Sequence, residues 1–382
     1  MAKRMESKVI YRAADICFWL GICCELAVSF SGYAFGNYGE PNIIFAAMFF
    51  FAVKILLTMD FKKDWPVFLI CGIYGGLCYY FQSSALILRI FLLLLAGRDQ
   101  DAKKVLQLFS LGTVAVMLVT GILSACGLHN ELYLTGNYRN EAETRFCFGF
   151  FNPNGFAVFI FKLFVMSLYG FWDKLKWWGG FILLFLTLPL MLLAGSKTGL
   201  LALGVIFAYL LLMVFLKQGK LRSGIFYWFG NTIMAMELLA IYLVLFCMKQ
   251  LRTWEIAGVN LWKLIDYLTT GRLQAARKLF LELPPTFMGK PEVANATEIG
   301  FFNSLYHEGV IFVGLYIILL FWFLFRLYKK QDDMGMILVV GITIYCFGEA
   351  FLPYVNKNII FLLMIGNLPF LGTGRKRMEE NT

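Results

Sequence analysis

The sequence predicts an all-α polytopic membrane protein, on its composition and on the spacing of its apolar blocks. Hydrophobic residues make up 60% of the 382, charged residues 15%, and the mean hydropathy is +0.72. Soluble domains sit near about 45–50% apolar and about 25% charged. The apolar residues fall in blocks of roughly 17–25, the length that crosses a bilayer as a helix. A soluble enzyme is thereby excluded. The net charge of +10 does not indicate a nucleic-acid partner, because the basic residues sit in short clusters between apolar blocks, where they set topology.

Taken in order, the blocks predict about twelve transmembrane helices: 14–32, 41–59, 66–81, 83–97, 105–126, 148–170, 177–194, 199–216, 225–247, 301–325, 334–352 and 358–372. The opening MAKRMESKVIYR precedes the first block without a small-residue cleavage site, so that block reads as an uncleaved span. Alternating the spans puts Lys3, Arg4, Lys62, Lys63, Arg98, Lys103, Lys217, Lys220, Lys329, Lys330, Arg375 and Lys376 on one side. The other side, the loop 248–300 with its seven basic residues aside, holds only Arg139, Arg145, Lys197 and Lys357. That asymmetry predicts both termini in the cytoplasm.

The whole of 1–382 reads as one transmembrane domain with two long outer segments, 127–147 and 248–300. A loop as long as the second is commonly functional in a compact domain. Its stretch LWKLIDYLTTGRLQAARKLFLEL predicts two short amphipathic helices split at Thr269-Thr270-Gly271. Leu261, Leu264, Ile265 and Leu268 form the first apolar face; Leu273, Ala276, Leu279, Phe280 and Leu283 form the second. Both are expected to lie at the outer membrane surface. Of nine cysteines, most lie inside apolar blocks and none forms a CxxC pair, so no zinc site is expected. Cys126 and Cys147 flank the first loop, and two free thiols are expected there ahead of a disulfide.

Four polar motifs interrupt the apolar pattern. In RFCFGFFNPNGFAVFIF, residues 145–161, Asn152 is placed to cap a helix whose first residue is Pro153. The preceding FCFGFF then enters the membrane as irregular chain, tolerated only where protein or a water-filled cavity satisfies its backbone. A helix N-terminus facing a cavity binds anions, and Arg145 adds a permanently charged fork; a plain kink with Arg145 at headgroup level is the alternative. Next, Gly195-Ser196-Lys197-Thr198-Gly199 reads as a tight polar turn between two spans and lacks the spacing of a phosphate-binding P-loop. In Thr270-Gly271-Arg272 the glycine permits a sharp turn that aims Arg272 away from the helix axis. Last, in the run Glu298 to Gly309, the residues Glu298, Asn303 and His307 fall at the outer start of a span. Glu349 lies near the outer end of its own span.

Glu25, Lys54, Arg89, Lys162 and Glu237 fall inside spans and are functional candidates for that reason. Lys54, close to a span end, is expected to snorkel. Arg89 needs a partner, with Glu25 or Glu237 available.

Arg145, Lys197, Arg272, Glu298 and His307 share the outer face on this topology. Arginines hold diphosphates through forked hydrogen bonds, and a glutamate or histidine can deprotonate a hydroxyl. No carboxylate cluster suited to a metal is present, so neither metal nor cofactor is expected and the cations alone neutralise phosphate charge.

In this order the motifs resemble the bacterial O-antigen and capsular polysaccharide polymerases (Wzy type), with the related O-antigen ligases. The resemblance covers about residues 145–360. It rests on Arg145 with Gly149 to Asn154, the turn at 195–199, Thr270-Gly271-Arg272, and Glu298 through Gly309. The tail Glu349 to Asn356 is similar to the C-terminal region of capsular polymerases of Gram-positive type. Lys197 departs from the family's usual arginine, and Glu298 stands where the ligases carry histidine, which favours a polymerase. The resemblance implies a glycosyltransferase of the bacterial cytoplasmic membrane that joins polyprenyl-diphosphate-linked oligosaccharide repeat units at the outer face by inverting transfer. It assigns Arg145 and Arg272 to the leaving diphosphate and Glu298 to the acceptor hydroxyl. Asn152, Asn154, Lys197, Asn303, His307 and Glu349 are then substrate-binding. Membrane lipid, a chain-length regulator and a flippase are the implied partners. A transporter or flippase of lipid-linked glycans, or a ligase-like transferase, is the competing expectation.

Overall fold

The computed structural model describes residues 2–35, 41–138, 141–246, 255–256, 259–260, 272–290 and 299–367. The expected helix over 261–268, the Thr269-Thr270-Gly271 turn and Glu298 lie outside them.

The chain is an all-α polytopic membrane protein with two small hairpins. The first half comprises α1 (Ala2–Phe35), α2 (Pro41–Thr58), α3 (Phe61–Gln82), α4 (Leu86–Ala96), α5 (Ala102–Ala125), β1 (Tyr133–Tyr138), β2 (Glu141–Phe146), α6 (Pro153–Gly170) and α7 (Trp172–Ala194). There follow α8 (Lys197–Phe215), α9 (Lys220–Phe246), β3 (Glu255–Ile256), β4 (Val259–Asn260), α10 (Arg272–Glu282), α11 (Gly300–His307), α12 (Gly309–Lys330), α13 (Asp333–Gly348) and the single turn α14 (Ile360–Leu363). Strands β1 and β2 pair antiparallel, with Leu134 opposite Arg145.

Among the described residues eight helices, not about twelve, are long and apolar enough to cross a bilayer. They are Val9–Gly32 of α1, α2, α5, α6, α7, α8, Lys220–Leu243 of α9, and α12. The four expected spans that fall short do so for different reasons. Helix α3 opens on Lys62, Lys63 and Asp64, and its remaining length carries Trp65, Pro66, three tyrosines, three glycines and Gln82, which lower its hydropathy. Helix α4 has 11 residues, about 17 Å at 1.5 Å each, against a hydrocarbon core of about 30 Å. Helix α13 has 16 residues and is buried from Asp333 to Cys346; its continuous apolar run reflects a core position inside the bundle. Of the block at 358–372, the described residues to Asn367 form only the turn α14, after which the Gly366 N–H donates to the Gly97 carbonyl (3.0 Å). The expected span 301–325 is two helices, broken at Gly309, whose φ is +91°. The backbone of Phe287 to Gly289 packs directly on Gly309, leaving no room for a Cβ.

Chain order alternates the helices between two ends. One end carries the β1–β2 hairpin, the α7–α8 turn and the α13 terminus. The other collects ion pairs that tie the bundle together: Lys54 with Asp99 (2.9 Å) and Asp15 (3.4 Å), Arg98 with Asp64, Lys103 with Asp173, and Arg222 with Asp333. Lys54 therefore does not snorkel; it is fully buried between two aspartates. Large apolar side chains such as Ile70, Phe185 and Phe215 face outward, as a lipid-facing surface requires.

Inside the bundle, Arg89 of α4 meets Glu25 of α1 through two hydrogen bonds, one of 2.7 Å from Nε to Oε1. Both side chains are buried. Removing one partner of such a pair strands a charge and costs about 3–5 kcal/mol, whereas an apolar replacement of both is often neutral. We expect Arg89→Met alone to reduce folded protein sharply in detergent thermal-unfolding measurements, and Glu25→Leu added to it to restore most of the loss.

Candidate functional site

Helix α6 begins at Pro153 as the sequence predicts. Asn152, in extended conformation, accepts a hydrogen bond from the Gly155 N–H through Oδ1 and so caps the helix. The segment Cys147 to Phe151 is irregular, with Phe148 (φ +53°) and Gly149 (φ +80°) both left-handed. Gly149 lies against Ser124 and the Thr120 carbonyl of α5, so a side chain there would collide. Phe146, Phe148, Phe150, Phe156 and Phe159 form one continuous aromatic cluster that holds the segment down. Packed phenylalanine rings accommodate the irregular chain.

This support fixes β2 and aims Arg145. Its Nε and Nη2 donate to Glu143 Oε2 at 3.0 and 2.8 Å. The guanidinium also lies on the α7–α8 turn, where a Cβ on Gly195 would stand 3.0 Å from Arg145 Nε. Gly195 has φ +68° and ends α7, a left-handed position that favours glycine. Ser196 then caps α8, accepting from the Gly199 N–H at 3.3 Å. Its hydroxyl also meets the Tyr345 hydroxyl of α13 at 3.3 Å. Lys197, the first residue of α8, is exposed.

The start of α8 leans on the end of α13. Thr198 occupies the space where Gly348 would carry a side chain. At the same point Arg272, the first residue of α10, donates from Nη1 to the Gly348 carbonyl and reaches Glu349 Oε1 at 3.4 Å. A cation at a helix C-terminus complements the backbone dipole. Gly300, which opens α11, packs directly against the Cys346 and Glu349 carbonyls. Arg145, Lys197, Arg272 and Glu349 thus converge on one end of the bundle, joined through the α8 start and the α13 terminus.

The other predicted residues take different places. Asn154 sits half-buried in the first turn of α6. Asn303 is buried one turn into α11. His307 ends that helix, with its carbonyl against Gly289, away from the α13 terminus. Burial pushes the His307 imidazole pKa below its usual value, which favours the neutral ring. The apolar face of α10 is as expected, but Leu273 and Ala276 bury against Ile299, Phe302 and Tyr306, so the helix packs on protein. Cys126 and Cys147 are both free thiols. Burial raises the Cys147 pKa, and its Sγ donates to the Glu131 carbonyl at 3.0 Å.

Sequence reading passed over Glu308. It lies at the α11–α12 break, where Gln82 Nε2 donates to its carbonyl at 3.1 Å and to the Met288 carbonyl at 2.6 Å. Among the described residues, Glu308 Oε2 and the hydroxyls of Tyr74 and Thr286 are buried with no partner at hydrogen-bonding geometry. A carboxylate beside a glycine inside an apolar run is the signal the sequence offers. Among the described residues no group of three or more His, Cys, Asp or Glu is placed to hold a metal ion. The chain matches no family model, no curated protein and no solved structure.

The cap at Asn152 gives a direct test of what that residue does. Replacing a capping Asn by Ala costs about 1 kcal/mol, while Ser or Asp substitutes well. Asn152→Ala is expected to lower the unfolding temperature and Asn152→Ser to leave it unchanged, measured by intrinsic fluorescence in detergent.

Proposed function

We propose that the chain is a polysaccharide polymerase of the bacterial cytoplasmic membrane, with both termini inside and the β1–β2 end outside. It joins polyprenyl-diphosphate-linked repeat units by inverting, metal-independent glycosyl transfer. The observation that carries this reading is that Arg145 rests on the α7–α8 turn and Arg272 on the α13 terminus, two helix ends that touch through Thr198 and Gly348. Two guanidinium forks and an exposed lysine beside a capped helix N-terminus suit a diphosphate. Preorganised cations are what a leaving diphosphate needs as its negative charge develops.

In the reaction, an acceptor sugar hydroxyl attacks the donor's anomeric carbon from the face opposite the diphosphate. The new glycosidic C–O bond forms as the bond to the diphosphate oxygen breaks, and the configuration inverts. The hydroxyl proton passes to a carboxylate, for which Glu298 is our choice. Polyprenyl diphosphate departs with the bonding electron pair, held by Arg145 and Arg272. Lys197 adds a third cation, and Glu349 orients Arg272.

Each hydrogen bond to a charged group contributes about 1.5–3 kcal/mol, and an arginine fork makes two. Arg145→Ala and Arg272→Ala are each expected to abolish polymer in a vesicle assay with labelled lipid-linked repeat units, at unchanged protein level. Arg272→Lys, which keeps charge and loses the fork, should retain a small fraction of activity. Normal chain extension by either stably expressed alanine variant overturns the reading, as does movement of the labelled lipid across the membrane without extension.

A further inference from the structure

Glu308 stands at the α11–α12 break and is only 5% exposed. None of the ion pairs among the described residues includes it. Its Oε2 is buried without a hydrogen-bond partner there. Buried charges are otherwise paired or coordinate metals, and an ionisable side chain buried beside a span is a functional candidate by default.

Three hydroxyls gather near it from three other segments. Ser304, one turn back on α11, is fully buried. Its hydroxyl faces the carboxylate but stops short of hydrogen-bonding geometry. Tyr74 of α3 lies within electrostatic reach of Glu308, and its hydroxyl is buried and unpartnered among the described residues. Thr286 belongs to the segment 283–290, whose backbone is stitched to the break. The Val310 N–H donates to the Thr286 carbonyl at 3.0 Å and the Ile311 N–H to the Phe287 carbonyl at 3.3 Å. The Thr286 hydroxyl is likewise buried without a partner among the described residues. Gln82, at the end of α3, donates to the Met288 and Glu308 carbonyls, which leaves the carboxylate to the hydroxyls.

These four groups offer hard oxygen atoms and one negative charge. Neighbouring oxygens that do not bond to one another are what a shared cation requires. A hard cation takes oxygen at about 2.3–2.6 Å, so two of its ligands can stand up to about 5 Å apart, beyond hydrogen-bond reach. A proton neutralises Glu308 but bridges only two oxygens, at about 2.5–3.0 Å. One carboxylate among neutral hydroxyls balances a single positive charge. A divalent ion would keep a net charge in a buried place, which is costly, and such ions draw more carboxylates.

We infer that Glu308, Ser304, Tyr74 and Thr286 form a binding site for a monovalent metal cation, sodium or potassium. The ion joins α3, the segment 283–290, α11 and the start of α12 at one point. Helix α11 has 8 residues, about 12 Å at 1.5 Å each, and Gly300 at its far end packs on the α13 terminus. The ion therefore steadies a helix that abuts the cationic end, and it takes no part in the transfer step proposed above.

The test uses the full chain purified in detergent, with a chelator to remove divalent ions and choline chloride to hold ionic strength constant. Sodium chloride or potassium chloride then replaces choline chloride while unfolding is followed by intrinsic fluorescence. A ligand of the folded state raises the unfolding temperature by mass action. The expected result is a saturable rise with sodium or potassium, and the ion with the lower half-saturating concentration is the occupant. Glu308→Gln should abolish the rise. Ser304→Ala and Thr286→Val should each raise the half-saturating concentration about tenfold, equivalent to about 1.4 kcal/mol, and they carry the test if Glu308→Gln fails to fold. Glu282→Gln, on the exposed side of α10, should keep the full response. Equal unfolding temperatures in choline, sodium and potassium would overturn the inference, whether water or a proton then satisfies Glu308. Stabilisation by calcium alone, or a sodium or potassium response that survives in Glu308→Gln, would overturn it as well.

Discussion

The cationic end of this protein depends on one close contact, the seating of the α8 start on the α13 terminus. Gly348 has no side chain, and Thr198 fills that space. The same closeness lets Ser196 meet Tyr345 and leaves the Gly348 carbonyl turned toward Arg272. Arg145 joins through Gly195. Three segments far apart in sequence (the β1–β2 hairpin, the α7–α8 turn and the start of α10) are thereby brought to one place. Each contributes a cation. None of them alone would make a site, because a single arginine at a membrane surface is ordinary interfacial chemistry.

The rest of the bundle holds that end in position by pairing its charges. A charge inside a membrane is costly unless it finds a partner, and the described ionisable groups mostly do. Glu25 takes Arg89, Lys54 takes two aspartates, and Asp333 takes both Arg222 and the Ser223 hydroxyl. Lys162 donates to Ser29 and to the Asn356 carbonyl. These contacts link α1 to α4, α2 to the loop after α4, α9 to α13, and α6 to the segment after α13. They tie together helices that dispersion contacts alone would leave free to slide, since lipid tails are as apolar as the core. The buried helix α13 gains most from this, with its start fixed by Arg222 and its end by Arg272.

Local chemistry was legible in the sequence, and long-range pairing was not. Asn152 and Pro153 mark a helix start because capping involves residues three apart. The apolar face of α10 could be read from Leu273, Ala276 and Leu279, but not its destination, since Ile299 and Phe302 lie beyond any periodicity. Arg89 announced a need for a partner without naming Glu25, which is 64 positions away. The span count ran high because hydropathy measures apolarity and cannot tell lipid from protein as its cause. Helix α13 is apolar because other helices surround it, and α4 is apolar yet too short. Gly309 was read as part of one span because its left-handed backbone is imposed by residues 287–289 packed against it. Among site residues, the grouping of Arg145, Lys197, Arg272 and Glu349 at one end followed from counting spans. Their contacts through Gly195 and Gly348 could not, because a glycine in a sequence does not say what fills the space it leaves.

The contact between Thr198 and Gly348 can be tested without touching any cation. Gly348→Leu would force the α8 start and the α13 terminus apart while leaving Arg145, Lys197 and Arg272 in the chain. The measurement is the equilibrium affinity of the purified protein in nanodiscs for a polyprenyl diphosphate, by microscale thermophoresis, with unfolding temperature recorded alongside. A folded Gly348→Leu protein that binds at least about tenfold more weakly, a loss of about 1.4 kcal/mol or more, is the result this account predicts. A folded variant whose affinity equals that of the parent would contradict it, because the cations would then act without the helix ends that bring them together.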